Sequence, residues 1–434
     1  MPKPDAARLA SLRQSLADAS AARRVWMQRL FERLPDVAIW RGLGLATPPD
    51  LTPLLQPGSL LLSFVLDDED LLVLASASVP LPDNEDKTTP GAPGIDAYVI
   101  ALKRRQIAEL TAVMQQPAAL ADPAAWKKVA SELIALLPQA LLARLDAASH
   151  VTIVPHEVLW RVPFQALPSG DGFLADHATV VIAGSVAMLR RAADREPAAG
   201  GSLLMVGAPQ VEQPRIDRLK QVAPAWTLRA AEDARSELDA GGAAYSDGKD
   251  VLLGSAATER AVREALPRAG RIHIAAPFRI NAASPLFSSI VLADPMPVAE
   301  PAPTPETAGP RPPRPASDTA DDGALELREV MNVSSGARVG VLSDGAATSM
   351  RDSAPATPVL EWAWLAAGIP SLVIPRWSVP PPSRDRVMTE LHKRLQAGES
   401  PAAALAAAQR LLRSTPETAA PIHWAAWMVV GAGR

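Results

Sequence analysis

The chain has 434 residues, 43 Lys plus Arg against 47 Asp plus Glu, a formal net charge of −4 and no cysteine. That balance leaves no electrostatic footprint for nucleic acid or an anionic membrane, and no run of about 18 apolar residues offers a transmembrane helix. The lack of Cys excludes disulfides, thiolate metal sites and any cysteine nucleophile. The length accommodates two or three domains with cores of their own, and the charged opening MPKPDAARLASLRQ lacks the apolar core of a signal peptide, so a cytoplasmic protein is expected.

Residues 5–35 read as one amphipathic helix, with Asp5 as N-cap and Leu9, Leu12, Leu16, Leu30, Phe31 and Leu34 on a stripe. Residues 58–66 and 70–79 read as a β-hairpin turning at Asp67 to Glu69, and the Pro, Asp and Gly of 79–94 read as a loop. Helices are expected over 96–115 and 126–146, followed by a strand at 151–155. His156, in the turn after it, reads as a structural histidine that caps or bonds a backbone carbonyl.

A link at 195–201 introduces a second half. Ser202–Val206 and Asp250–Leu253 read as buried strands, SAATERAVREAL as a crossover helix, and RIHIAA, from Arg271, as the next strand, which together make a βαβ unit of a parallel sheet. Pro277 ends that strand where the chain leaves the sheet, and in open α/β sheets ligands gather at that carboxyl edge. The proline-rich stretch 295–320 has no apolar periodicity and reads as a disordered or polyproline-like insertion. DGALELREV then gives a short strand and a short helix, and RVGVL, ending at Ser343, Asp344 and Gly345, is a second strand of the same shape as RIHIAA.

Further on, WAWLAAGIPSLVIPRW reads as a helix, a turn at Gly368 and Pro370, and a strand ending at Arg376 and Trp377. Ser383 is expected to cap a helix bearing Val387, Leu391 and Leu395, Ser400 with Pro401 to start another, and HWAAWMVVG to close the fold.

VTIVPHEVLWRVPFQAL, RIHIAAP, RVGVLSDG, AAGIPSLVIPRW and HWAAWMVVG resemble, in order, the signature stretches of the CHAT peptidase family, bacterial relatives of caspases and separase. The resemblance covers roughly residues 50–434. It implies an α/β fold with a caspase-like, parallel-rich sheet flanked by helices, divided into an N-terminal helical segment (1–50), an N-terminal α/β lobe (51–195) and a caspase-like lobe (196–434). It places Pro277 where the family has its general-base His and Gly345 where it has its nucleophilic Cys. Proline has no titratable group and glycine no side chain, so neither position can activate a nucleophile or protonate a leaving amine.

The expected function is therefore that of a catalytically inactive pseudopeptidase, a regulatory or scaffolding protein with a protein partner in a bacterial stress or defence system. The candidate binding crevice consists of His273, Phe278, Ser343, Asp344, Arg376 and Trp377. The resemblance implies an acidic crevice for basic side chains, to which Asp344 would contribute. His273, four residues before Pro277, reads as a buried structural histidine. The alternative is a hydrolase with a displaced, non-cysteine dyad built from Ser343 and His273. No cofactor or metal is expected: the six His are scattered, and GSAAT lacks the glycine spacing and lysine of a phosphate loop. The proline-rich insertion is a third candidate, as a recognition segment.

Overall fold

The computed structural model describes residues 51, 54–77, 95–195, 201–222, 228–281, 284–295, 321–343 and 356–434, together with Gln14, Ala21, Ala22, Val25 and Arg29. Contacts divide the chain into two compact units, Met1–Asp50 and Leu51–Arg434. In the first, the five described residues are helical. The apolar stripe expected there, the loop 79–94, the link 196–200, the proline-rich positions 296–320, Asp344 and Gly345 lie outside the described residues.

Sixteen strands are described in the second unit. In chain order they are β1 (Ser59–Leu66), β2 (Leu71–Ala77), β3 (Ile95–Ile100), β4 (His150–Val154), β5 (Pro168–Ser169), β6 (Gly172–Phe173), β7 (Thr179–Ile182), β8 (Ser202–Pro209), β9 (Lys249–Gly254), β10 (Ala269–Ala275), β11 (Phe278–Arg279), β12 (Ser289–Val291), β13 (Ala324–Glu326), β14 (Gly340–Leu342), β15 (Ser371–Pro375) and β16 (Trp427–Gly431). Eleven of them form one sheet in the order β3-β2-β1-β4-β7-β16-β15-β14-β10-β8-β9. Strands from both sides of residue 195 share it. The β1–β2, β2–β3 and β15–β16 pairs are antiparallel and every other neighbouring pair is parallel.

The sequence explains this arrangement locally. LLMVGAP, SLVIP and WMVVG are buried at every position, because helices cover both faces of the central strands and leave no solvated side to alternate with. The edge strand β3 alternates instead, with Ile95, Ala97 and Val99 facing out and Asp96, Tyr98 and Ile100 facing in. This corrects the expected helix over 96–115, which begins only at Arg104. Ile95 and Val99 lie on its outer face and an acid sits on its inner face beside Tyr98 and Ile100, where the buried Arg144 pairs with Asp96. That inverted pattern hides the strand.

A second correction concerns the expected helix over 126–146, which is two helices, Pro123–Ile134 and Gln139–Ala147. Pro138 cannot supply an interior helical N–H, so the first helix ends before it and the second begins after it. Asp122 accepts from Ala124 N and Ser400 from Ala403 N, each capping a helix start. Ser383 is not a cap: its helix begins at Pro381, after Pro380. His156 accepts the Leu66 backbone N–H at Nδ1, 3.1 Å away, so it ties β1 to the turn after β4.

Candidate functional site at the carboxyl edge of the sheet

β10 and β14 are parallel neighbours in the register Ile274↔Leu342, and β15 lies beside β14 in the register Val341↔Val373. Three consecutive parallel strands thus deliver their carboxyl ends to one edge. β10 arrives with Ala276 and Pro277, β14 with Ser343, and β15 with Arg376 and Trp377. Ser343 is still in the ladder, its N–H donating to Ile274 O at 3.0 Å. Pro277 starts a turn into β11, and its carbonyl accepts from Val291 N at 2.7 Å. Phe278 is buried in the small sheet β11-β12-β13. Trp377 is buried as well and donates its indole N–H to Ile422 O at 3.2 Å.

Arg376 differs from its neighbours. Its backbone N–H continues the pairing with β16 by donating to Ala426 O at 2.8 Å, but its guanidinium is buried with one marginal partner, Nε to Trp160 O at 3.5 Å. Nη1 finds no acceptor, and Arg376 makes no ion pair with any described residue. Burial alone pushes its pKa down to about 9.

His273 does not reach this edge. It sits within β10, fully buried, between Met205 of β8 and Val341 of β14. Its Nε2 lies 3.0 Å from Glu237 Oε1 and its Nδ1 lies 3.1 Å from Nε2 of His392. His392 stacks on His273 at 5.0 Å between ring centroids, and its Nδ1 faces the Tyr245 hydroxyl at 3.4 Å. One assignment of protons satisfies every member. The Tyr245 hydroxyl donates to His392, His392 Nε2–H to His273, and His273 Nε2–H to the carboxylate, with both rings neutral. Burial also holds His392 well below the ordinary histidine range.

The other oxygen of Glu237 meets Arg229 Nη2 at 2.6 Å and Arg384 Nε at 3.1 Å, as charge contacts rather than aligned hydrogen bonds. Burial would raise the Glu237 carboxyl, but the His273 hydrogen bond and the neighbouring Arg229 and Arg384 guanidiniums outweigh it and bring the pKa down to about 2. Both nitrogens of His273 are therefore engaged, and neither is left to take a proton from Ser343, whose hydroxyl points at Ile274 O at 3.5 Å.

Glu237, Arg229, Arg384 and His392 escape sequence reading. Helix Ala231–Gly242, which carries Glu237, has two Asp and two Glu on one short stretch and reads as a solvated segment. The only sequence signal is Gly241: a Cβ there would come within 2.8 Å of His392 Cδ2 and 3.2 Å of His273 Nδ1, so a residue without one is required. Two further polar contacts were equally hidden. Ser383 Oγ and His423 Nδ1 lie 2.7 Å apart beside Trp377, and the buried carboxyl of Glu361 accepts the Gly184 N–H at 2.6 Å. Burial pushes Glu361 up to about 8.

Among the described residues no three His, Cys, Asp or Glu side chains converge as metal ligands, and no helix is long and apolar enough to cross a membrane. A cavity of about 40 Å³ lies away from the edge, between β1, β4 and the helices of residues 104–147, lined by residues such as Phe64, Leu133 and Ile153 with Asp146 and Ser169 as its polar members.

No curated protein sequence matches the chain. Solved structures similar to it include Saccharomyces cerevisiae separase in complex with securin, at 8% identity and a TM-score of 0.47, covering 91% of this chain and 31% of the separase chain. A second structure of that complex covers 86% of this chain and 30% of that one, at 8% identity and a TM-score of 0.46. Gingipain R, an Arg-specific cysteine proteinase, is similar at 9% identity and a TM-score of 0.40, with 68% of each chain covered. The chain thus spans about a third of the length of the separase chains. The CHAT domain model matches residues 127–432, well over half of the sequence, and so the chain belongs to the CHAT family.

Proposed function

We propose that this chain is a non-proteolytic CHAT protein that acts by holding a peptide segment of a partner protein at the carboxyl edge of β10, β14 and β15. The observation that carries the reading is the loss of the thiol: a CHAT chain of 434 residues with no cysteine has no thiolate to attack a scissile carbonyl. Pro277 adds to it, since the residue that leaves β10 at the edge has no group to accept a proton. A regulatory or scaffolding role with a protein partner, in a bacterial stress or defence system, fits a CHAT chain that has no thiol.

The test is a cleavage assay on a degenerate library of internally quenched peptides, alongside the double substitution Pro277→His and Gly345→Cys. No turnover by the wild type, with turnover or labelling by a thiol-directed chloromethyl ketone in the double variant, supports the proposal. Turnover by the wild type overturns it.

A second reading, a hydrolase with a displaced dyad, draws on Ser383 and His423 rather than on Ser343 and His273. Their 2.7 Å contact has the geometry of a nucleophile and its base. Against it, Ser383 is buried and follows Pro380, Pro381 and Pro382, which supply no N–H groups for an oxyanion hole. Loss of any wild-type turnover in Ser383→Ala would establish this reading.

A further inference from the structure

An unpaired cation inside a protein is unstable relative to an apolar side chain of the same size, because desolvation is not offset by a counter-charge. The same chain shows the ordinary solution at Glu237, where one buried carboxylate faces Arg229, Arg384 and His273. Among the described residues Arg376 has no such compensation. Its exposure is 3%, its Nη1 has no acceptor and its guanidinium's one hydrogen bond to a described residue is to a carbonyl at 3.5 Å. It is also the first residue after β15, at the edge where β10 leads out through Pro277.

We propose that Arg376 is the anchor of a carboxylate subsite in the edge crevice and that the segment held there presents an acidic side chain, Asp or Glu. The inference rests on the reading of the edge as a peptide-holding crevice, and it reverses the charge that the family resemblance implies for the ligand. The chemistry fits the residue type. A guanidinium offers a planar fork of donors matched to the two oxygens of a carboxylate, and at this position Nη1 is unspent. Nε has only the long contact to Trp160 O to give up. A carboxylate arriving at this group would supply the missing counter-charge, and the lowered pKa produced by burial alone marks how little the protein itself provides.

The test uses the full chain and blocked pentapeptides whose central residue is Asp, Asn, Leu or Arg in an otherwise randomised library, read by fluorescence anisotropy. A parallel set carries neutral side chains and a free terminal carboxylate, to separate a side-chain acid from a chain end. The expected result is a preference for Asp over Asn of about tenfold or more, the scale of a charge-assisted hydrogen bond. It disappears in Arg376→Met and is reduced in Arg376→Lys, which keeps the charge but loses the fork.

Without peptide, Arg376→Met melts at a higher temperature than the wild type, because it removes an uncompensated buried charge. A role in packing alone predicts a lower melting temperature. Peptide binding with no preference for Asp, unchanged in Arg376→Met, overturns the anchor while leaving the peptide-holding crevice in place. Preference for the free terminal carboxylate over the side-chain acid overturns the assignment of the ligand. Absence of binding by every peptide removes the crevice reading and the anchor together.

Discussion

Two buried charges in this fold are treated in opposite ways. Glu237 lies beneath β8 and β10 with Arg229, Arg384 and His273 around it, and a chain of hydrogen bonds leads from it through His273 and His392 to Tyr245. Arg376 lies at the carboxyl edge of the same sheet with no counter-charge among the described residues. The first arrangement is compensated in charge, with every ring nitrogen of the histidine pair engaged, although Glu237 Oε2 and some nitrogens of Arg229 and Arg384 make no hydrogen bond. The second is open. A polar group that is buried and satisfied specifies packing, whereas one that is buried and unsatisfied is a site waiting for a partner or a standing cost.

The sharpest way to break this comparison is Glu237→Gln. It leaves Arg229 and Arg384 buried without their counter-charge, and removal of one partner from a buried ion pair costs about 3–5 kcal/mol. Denaturant unfolding should show a loss of that order. A change below about 1 kcal/mol would mean that the two arginines find water or other acceptors when the carboxylate is gone.

The pH dependence separates the compensated acid from an uncompensated one. The folded pKa of Glu237 lies at about 2, below the ordinary carboxyl value of 4.5, so its contribution is present above pH 4.5 and is lost as pH falls toward 2. Glu361 has the opposite sign. Its folded pKa is pushed up to about 8 from 4.5, so its contribution is complete below pH 4.5 and is lost as pH rises through 8, at up to about 1.4 kcal/mol per pH unit. Thermal unfolding across pH 5 to about 8 should therefore show a decline in the wild type that Glu361→Gln flattens. An unchanged slope in that variant would place the titration elsewhere.

Smaller effects are expected of the groups that frame the histidine pair. Glycine to alanine in a helix interior ordinarily stabilises by about 0.5–1 kcal/mol. At Gly241 the added Cβ meets His392 Cδ2 at 2.8 Å, so Gly241→Ala is expected to destabilise by about 1–3 kcal/mol through overpacking. A combined His392→Ala background should remove most of that penalty, and a double-mutant cycle measures the difference. The smallest effect belongs to a helix cap: Ser400→Ala, which deletes the acceptor for Ala403 N, should cost about 1 kcal/mol in denaturant unfolding.

Much of the fold was legible because its central strands carry a signal that needs no context. RIHIA, SLVIP and WMVVG are short apolar runs closed by Gly, Pro or polar turns, and each is a strand buried on both faces. The hairpin of β1 and β2, the crossover helix Glu259–Ala265 and the cap at Ser400 were readable for the same reason, a local pattern with a local cause. β3 was not, since an edge strand with Asp96 turned inward and Val99 outward contradicts the rule that locates strands. Of the candidate crevice, the edge positions of Pro277, Ser343, Arg376 and Trp377 followed from the strand ends. The burial of Phe278 within a separate small sheet did not, because β11 is two residues long and exists only through its pairing with β12.

By itself the sequence determined two things about this protein. It has no thiol anywhere, and the position where β10 leaves the sheet is a proline. Both are facts of side-chain inventory, which folding cannot alter. Only the tertiary structure decided the role of the charges. Glu237 and His273 are 36 residues apart, and His392 is a further 119 along. Whether such groups neutralise one another depends on the packing of helices Ala231–Gly242 and Pro381–Gln396 against β10, and Arg376, at the edge, has no counter-charge among the described residues. Compensation of charge is a property of distances of a few ångströms, and no spacing along a chain encodes it.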